Sequence, residues 1–165
     1  MDAFGGRTVT PHEEAWLSQA VALATSNVAD GGGPFGALVV RAGVVIGTGQ
    51  NRVTRDNDPT AHAEVLAIRA ACQAIGSFSL AGCTLYTSCE PCPLCLAACL
   101  WARVDRVLFA ADREDAARAG FDDSVFWDQF GASPGTRAMP VVGHRVPSAS
   151  DPMDAWLARP TRIEY

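Results

Sequence analysis

Two short stretches, Thr60-Ala61-His62-Ala63-Glu64 and Pro91-Cys92-Pro93-Leu94-Cys95, carry side chains whose types and spacing suit metal chemistry. The first offers an imidazole and, two residues on, a carboxylate; the second offers two thiols separated by two residues. Three nitrogen or sulfur ligands plus one uncommitted acid is the inventory of a catalytic zinc site, which keeps its fourth position open for water. His62, Cys92 and Cys95 are therefore the candidate ligands of one zinc ion per chain. Glu64 lies roughly 200° around an ideal helix from His62, beside the metal without having to bind it, where a proton carrier is needed. Cys92 and Cys95 are expected near a helix start, which favours the thiolate form that binds metal.

The same residues admit other readings. Cys89, Cys92, Cys95 and Cys99 fit the Cys-x2-Cys-x2-Cys-x3-Cys spacing of an iron–sulfur run, although Leu100 stands where Pro would follow and no second run exists. A structural zinc site would instead take Cys89 or Cys99 as a fourth ligand. Otherwise Cys72, Cys83 and Cys99 read as small buried hydrophobes. Gly31 to Gly36 formally matches Gly-x-Gly-x-x-Gly, but it follows a helix and opens a strand, the reverse of a dinucleotide fingerprint. Its expected role is a turn that lets backbone pass close to a neighbour.

The elements that must position these groups follow from hydrophobic period and punctuation. A helix is expected over Pro11–Ala29, capped by Thr10, with Leu17, Val21, Ala24 and Val28 as its buried stripe and Trp16 and Ala20 beside it. Phe35–Val40 and Val44–Gly49 form a hairpin, and Arg55–Asp58 a polar loop. A helix runs from His62 to Ala74 with Gly76 as its stop, and a third strand spans Leu80–Ser88. A helix from Pro91 to about Ala102 leads into a fourth strand, Val104–Ala111, then a short helix, Asp112–Ala119. Met139–Val146 is expected as a fifth strand and Pro152–Arg159 as the last helix. The order predicts an α/β fold, a three-layer α/β/α sandwich around one central mixed five-stranded sheet, in a single domain over residues 1–165.

Composition narrows the substrate. The chain has 165 residues, a formal net charge of −5 and no Lys. A protein that holds a nucleic-acid backbone usually shows a basic patch, so a small neutral substrate fits better than a polymer. The N-terminus lacks the cationic start and apolar run of a signal peptide, and no apolar run is long enough to span a membrane. A cytoplasmic protein is expected, in which the six cysteines serve metal or core.

Longer segments extend the match beyond single motifs. Gly33-Pro34-Phe35-Gly36-Ala37, Gly49-Gln50-Asn51, Asn57 to Val65, Tyr86 to Pro93, Trp101-Ala102-Arg103, Ala119 to Ser124 and the terminal Glu164-Tyr165 are the segments concerned. On these the chain resembles the bacterial guanine deaminases of the cytidine deaminase-like superfamily. The resemblance implies hydrolysis of guanine to xanthine with release of ammonia, zinc hydroxide attacking C2 and Glu64 shuttling protons. It implies that Asn51 and Ala63 bind the purine, that Phe35 and Trp101 pack near it, and that Asp123 contacts the base or its leaving amine. Tyr165 would close the pocket. The C-terminal segment, about residues 152–165, would be exchanged between the subunits of a homodimer. Leu94 stands where Met is usual and Ala97 where Gly is common, and Gly131 to Asp151 matches poorly. Deaminases of another aminated ring (guanosine, cytosine, a triazine) or of tRNA adenosine share the zinc motifs and stay open, as does a non-catalytic zinc or iron–sulfur module.

Overall fold

The computed structural model describes residues 8–164. They form two compact units, one up to Asp123 and one from Ser124 onward.

The first unit runs α1 (Pro11–Ala29), β1 (Gly36–Arg41), β2 (Val44–Gln50), α2 (Val53–Asp56), α3 (Ala63–Ile75), β3 (Cys83–Cys89), α4 (Pro93–Trp101), β4 (Arg106–Ala111) and α5 (Arg113–Arg118). The sheet order is β2-β1-β3-β4. β1 is antiparallel to β2 and β3, and β3 is parallel to β4, so the sheet is mixed as expected. Successive side chains of a strand face opposite ways. Ala37, Val39 and Leu85 therefore meet Ala67 and Ala71 of α3 and Cys99 of α4, while Leu38, Val40, Tyr86 and Leu108 meet Ala20, Trp16 and Leu17 of α1. Helices cover both faces.

Close backbone approach explains how two of these helices dock. Thr10 caps α1 in a capping box with Glu13, and Pro11 occupies the first turn. The buried face of α1 is Ala20, Ala24 and Asn27, whereas Val21 (41% exposed) and Val28 (52%) point away from the core. The expected Leu17–Val21–Ala24–Val28 stripe is thus rotated. A Cβ on Gly36 would stand 2.6 Å from both the Ala20 carbonyl and the Ala24 nitrogen, so only the smallest side chains fit between helix and strand. On the other face, a Cβ on Gly49 would meet the Ala63 carbonyl at 2.1 Å and the Ala67 nitrogen at 2.5 Å. This contact pins the first turn of α3 on β2 and so fixes His62 and Glu64, which flank Ala63.

Several boundaries differ from expectation for local reasons. The polar loop at Arg55–Asp58 is partly a one-turn helix, α2, ended by Asn57 in the left-handed region (φ 51°) and tied by the Arg52–Asp56 ion pair. α4 begins at Pro93 and not Pro91, with Cys92 as its extended N-cap. His62 is likewise the extended N-cap of α3 and lies outside its first turn.

The second unit holds α6 (Ser124–Gly131), a 3-10 turn at Pro134–Thr136 and α7 (Asp151–Ala158). The expected fifth strand at Met139–Val146 is absent, and the sheet among the described residues has four strands. Pro140 lacks the N–H that a ladder needs and Gly143 weakens any strand, so the apolar residues between them stay exposed, Val142 at 85%. Among the described residues no helix is long and apolar enough to cross a membrane.

Candidate metal centre

The N-termini of α3 and α4 bring His62, Cys92 and Cys95 together. One ligand atom from each lies within 4.8 Å of the others. The His62 Nδ1 is 3.6 Å from the Cys92 Sγ and 3.4 Å from the Cys95 Sγ. Zinc bonds of about 2.3 Å to sulfur and about 2.0 Å to nitrogen, set at tetrahedral angles, put such atoms roughly 3.5 Å apart. The donor set therefore fits zinc in both chemistry and spacing.

Glu64 stands beside these atoms as a non-ligand. It is 5% exposed, its Oε2 accepts from the Cys95 thiol at 3.3 Å and its Oε1 from the Thr87 hydroxyl at 3.1 Å. Burial raises its carboxyl above the usual range. Cys92 is pushed down to about 4, first by a hydrogen bond from Cys95, against burial, with His62 adding. Cys95 is raised by that same neighbour and by burial. His62 is held protonated to higher pH by Cys92, against burial.

The rival ligand sets do not assemble. Cys89 turns its Sγ to the Asp112 carbonyl at 3.4 Å, and burial pushes its thiol up to about 11. Cys99 lies in the apolar core, pushed up to about 12 by burial. Neither joins the three-ligand group found among the described residues, which removes the four-thiol iron–sulfur and closed structural-zinc readings.

The expected substrate residues are distributed unevenly. Asn51 is buried, and its Oδ1 accepts from the Val53 N–H at 3.3 Å. Its N–H donates to the Phe35 carbonyl at 3.0 Å, so these two positions are tied together. Phe35 meets Phe121 edge to face, with ring centroids 5.0 Å apart. Ala63 is fully buried against Gly49. Asp123 is half-buried, and its charge adds to that of Glu90 in holding Arg113 protonated. Arg113 pairs with Glu90 and also donates its backbone N–H to Oε2 at 3.2 Å, bracing the chain just before Cys92 against α5. Trp101 ends α4, roughly 13 Å along the helix from Cys92, and is 64% exposed with Arg103 over its ring. One chain does not bring it to the ligands. Tyr165 lies outside the described residues.

Two residues bonded to expected site residues carry no signal in the sequence. Thr87 reads as an ordinary strand residue, and only the β1–β3–α3 packing turns its hydroxyl to Glu64. Asn27 reads as part of a polar helix face, yet it is fully buried and its Nδ2 lies 2.8 Å from both the Gly33 and Asn51 carbonyls.

Comparison with known proteins agrees with this geometry. Residues 10–111 match the family described as the cytidine and deoxycytidylate deaminase zinc-binding region. The guanine deaminase of Bacillus subtilis is 47% identical over 155 residues, 93% of this chain and 99% of that one. Its X-ray structure superposes with a TM-score of 0.89 at 48% identity, covering 92% of this chain and 98% of that one. The structure of a guanine deaminase from Nitrosomonas europaea gives 0.64 at 34% identity, over 70% and 66%. A tRNA-specific adenosine deaminase of Aquifex aeolicus is 39% identical over 60% of this chain and 66% of its own. By the matched zinc-binding region and by identity over nearly its whole length to one such enzyme, the chain belongs to the cytidine and deoxycytidylate deaminase family.

Proposed function

We propose that the protein hydrolyses guanine to xanthine and ammonia. The observation that carries this is the His62–Cys92–Cys95 group with the buried Glu64 carboxyl beside it, in a chain matched almost end to end by a guanine deaminase. Zinc held by those three residues supplies a Lewis acid that makes water a nucleophile near neutral pH. Glu64 takes a proton from the attacking water and passes it to the ring nitrogen beside C2. It then carries the remaining hydroxyl proton to the amine, which leaves as ammonia while the C2 carbonyl forms. A carboxyl whose pKa is raised by burial suits repeated gain and loss of a proton. The Thr87 hydroxyl holds one of its oxygens in place.

Asn51 and Ala63 meet the purine, Phe35 stacks near it, and Asp123 takes the base edge or the leaving amine. Trp101 reaches a pocket only from a second copy, given its place at the far end of α4. The whole chain acts as one deaminase domain in a homodimer, with residues of about 152–165, including Tyr165, exchanged between subunits. Two features support this: the exposed Leu94, Leu96, Leu100 and Trp101 of α4, and the exposed Phe126, Phe130 and Leu157 of the second unit. Six free cysteines suit the reducing cytoplasm.

The test is ammonia release from guanine, guanosine, cytosine, adenine and a tRNA anticodon stem by the zinc-loaded protein. Guanine is expected to be the substrate turned over; release from another member keeps the chemistry and replaces the substrate. The net charge of −5 disfavours the tRNA substrate, since a nucleic-acid backbone calls for a basic face.

A further inference from the structure

We propose that Asn27 is a positioning residue for substrate recognition, setting the aim of Asn51 from inside α1. This rests on the reading of Asn51 as a residue that meets the purine. A fully buried amide in a helix is costly unless its hydrogen bonds are made. The Asn27 NH2 group makes both of its donor bonds outside its own helix, while its Oδ1 has no partner among the described residues. One donor bond goes to the Gly33 carbonyl and one to the Asn51 carbonyl, both at 2.8 Å. The Asn51 backbone is therefore clamped from two sides, its C=O by Asn27 and its N–H by the Phe35 carbonyl at 3.0 Å.

The surrounding glycines are shaped to this amide. A Cβ on Gly32 would stand 2.4 Å from the Asn27 Nδ2, and a Cβ on Gly33 would stand 2.9 Å from the Asn51 Oδ1. The Gly32 N–H closes the circuit on the Asn27 carbonyl at 2.8 Å. A run of three glycines has little conformational preference of its own. Asn27 supplies the fixed point that holds Gly33, and Asn27 and Phe35 together hold the backbone from which the Asn51 amide projects. None of these bonds touches His62, Glu64, Cys92 or Cys95, so loss of Asn27 should loosen recognition and spare the metal and the proton carrier.

The experiment measures guanine kinetics and zinc content for Asn27→Ala, Asn51→Ala, the double variant, and Gly32→Ala. Misplacing a recognition group by about 1 Å costs up to about 100-fold, so Asn27→Ala is expected to raise KM about tenfold or more, with kcat nearly unchanged and zinc retained. In the Asn51→Ala background the same change should add less than about twofold, because residues acting through one another are not additive. Gly32→Ala, which displaces the amide from a different segment, should reproduce the KM rise and serves if Asn27→Ala fails to fold. A fall in kcat with KM unchanged, or effects that multiply in the double variant, would overturn the proposal. If Asn51→Ala itself leaves KM unchanged, the reading of Asn51 has failed, and the inference falls with it.

Discussion

At Glu64, burial raises the carboxyl pKa while the Thr87 hydroxyl fixes one oxygen, so the group is both proton-holding and oriented. Glu64→Gln keeps the shape and all three ligands. We expect it to fold, to hold one zinc per chain by metal analysis, and to release ammonia about 100- to 10,000-fold more slowly. Retention of full turnover would remove Glu64 from proton transfer. Cys92→Ala should instead lose metal, because it deletes one of the three ligands. These four residues were legible in the sequence because metal and proton chemistry admit few residue types at few spacings. Thr87 and Asn27 were not. Thr and Asn are common everywhere, and only the packing of distant segments shows what their polar atoms reach.

Among the elements, α3 reaches the site through its contact with β2. Gly49→Ala would drive a methyl into the Ala63 and Ala67 backbone, where no side chain can rotate aside. Overpacking of this kind costs typically about 1–3 kcal/mol, and here the yielding part is the turn that carries His62 and Glu64. Lower Tm together with weaker zinc retention is expected; a Tm loss with normal zinc affinity would show that α3 shifts elsewhere. The helix caps give a pH signature. Glu13 lies below its ordinary 4.5, held by the Thr10 N–H and by Arg106, and Asp115 below its ordinary 3.8, held by the Asp112 N–H and by Arg118. Depressed carboxyls add stability above their unfolded pKa and lose it as pH falls through the folded one. The caps should thus contribute fully to Tm above about pH 5 and progressively less below it, and Glu13→Gln should flatten that part of the acid fall. The caps and the first four strands were readable from turn residues and apolar runs. The fifth was misread because Met139–Val146 has strand composition, with two exposed valines, but a Pro and a Gly that interrupt pairing.

For the whole molecule, the apolar side chains that remain exposed support the proposed homodimer. Leu94, Leu96, Leu100 and Trp101 of α4 are exposed, and α6 and α7 bury no residue. Large exposed apolar patches usually mark an interaction surface. We expect light scattering to give twice 17.4 kDa, and Leu100→Glu to shift the protein toward monomer with reduced turnover. Exchange of the C-terminal segment is tested by complementation. A chain ending at residue 151 would lack the segment that closes a pocket but keep Glu64; the Glu64→Gln chain would lack the proton carrier but keep the segment. Each alone should be nearly inactive. Unfolded together and refolded as mixed dimers, they should recover activity, because the Glu64→Gln subunit lends its segment to the truncated subunit's intact site. Recovery requires that the segment cross between subunits, since no single chain in the mixture has both parts. Mixed dimers that form and stay silent would mean that each chain closes its own site.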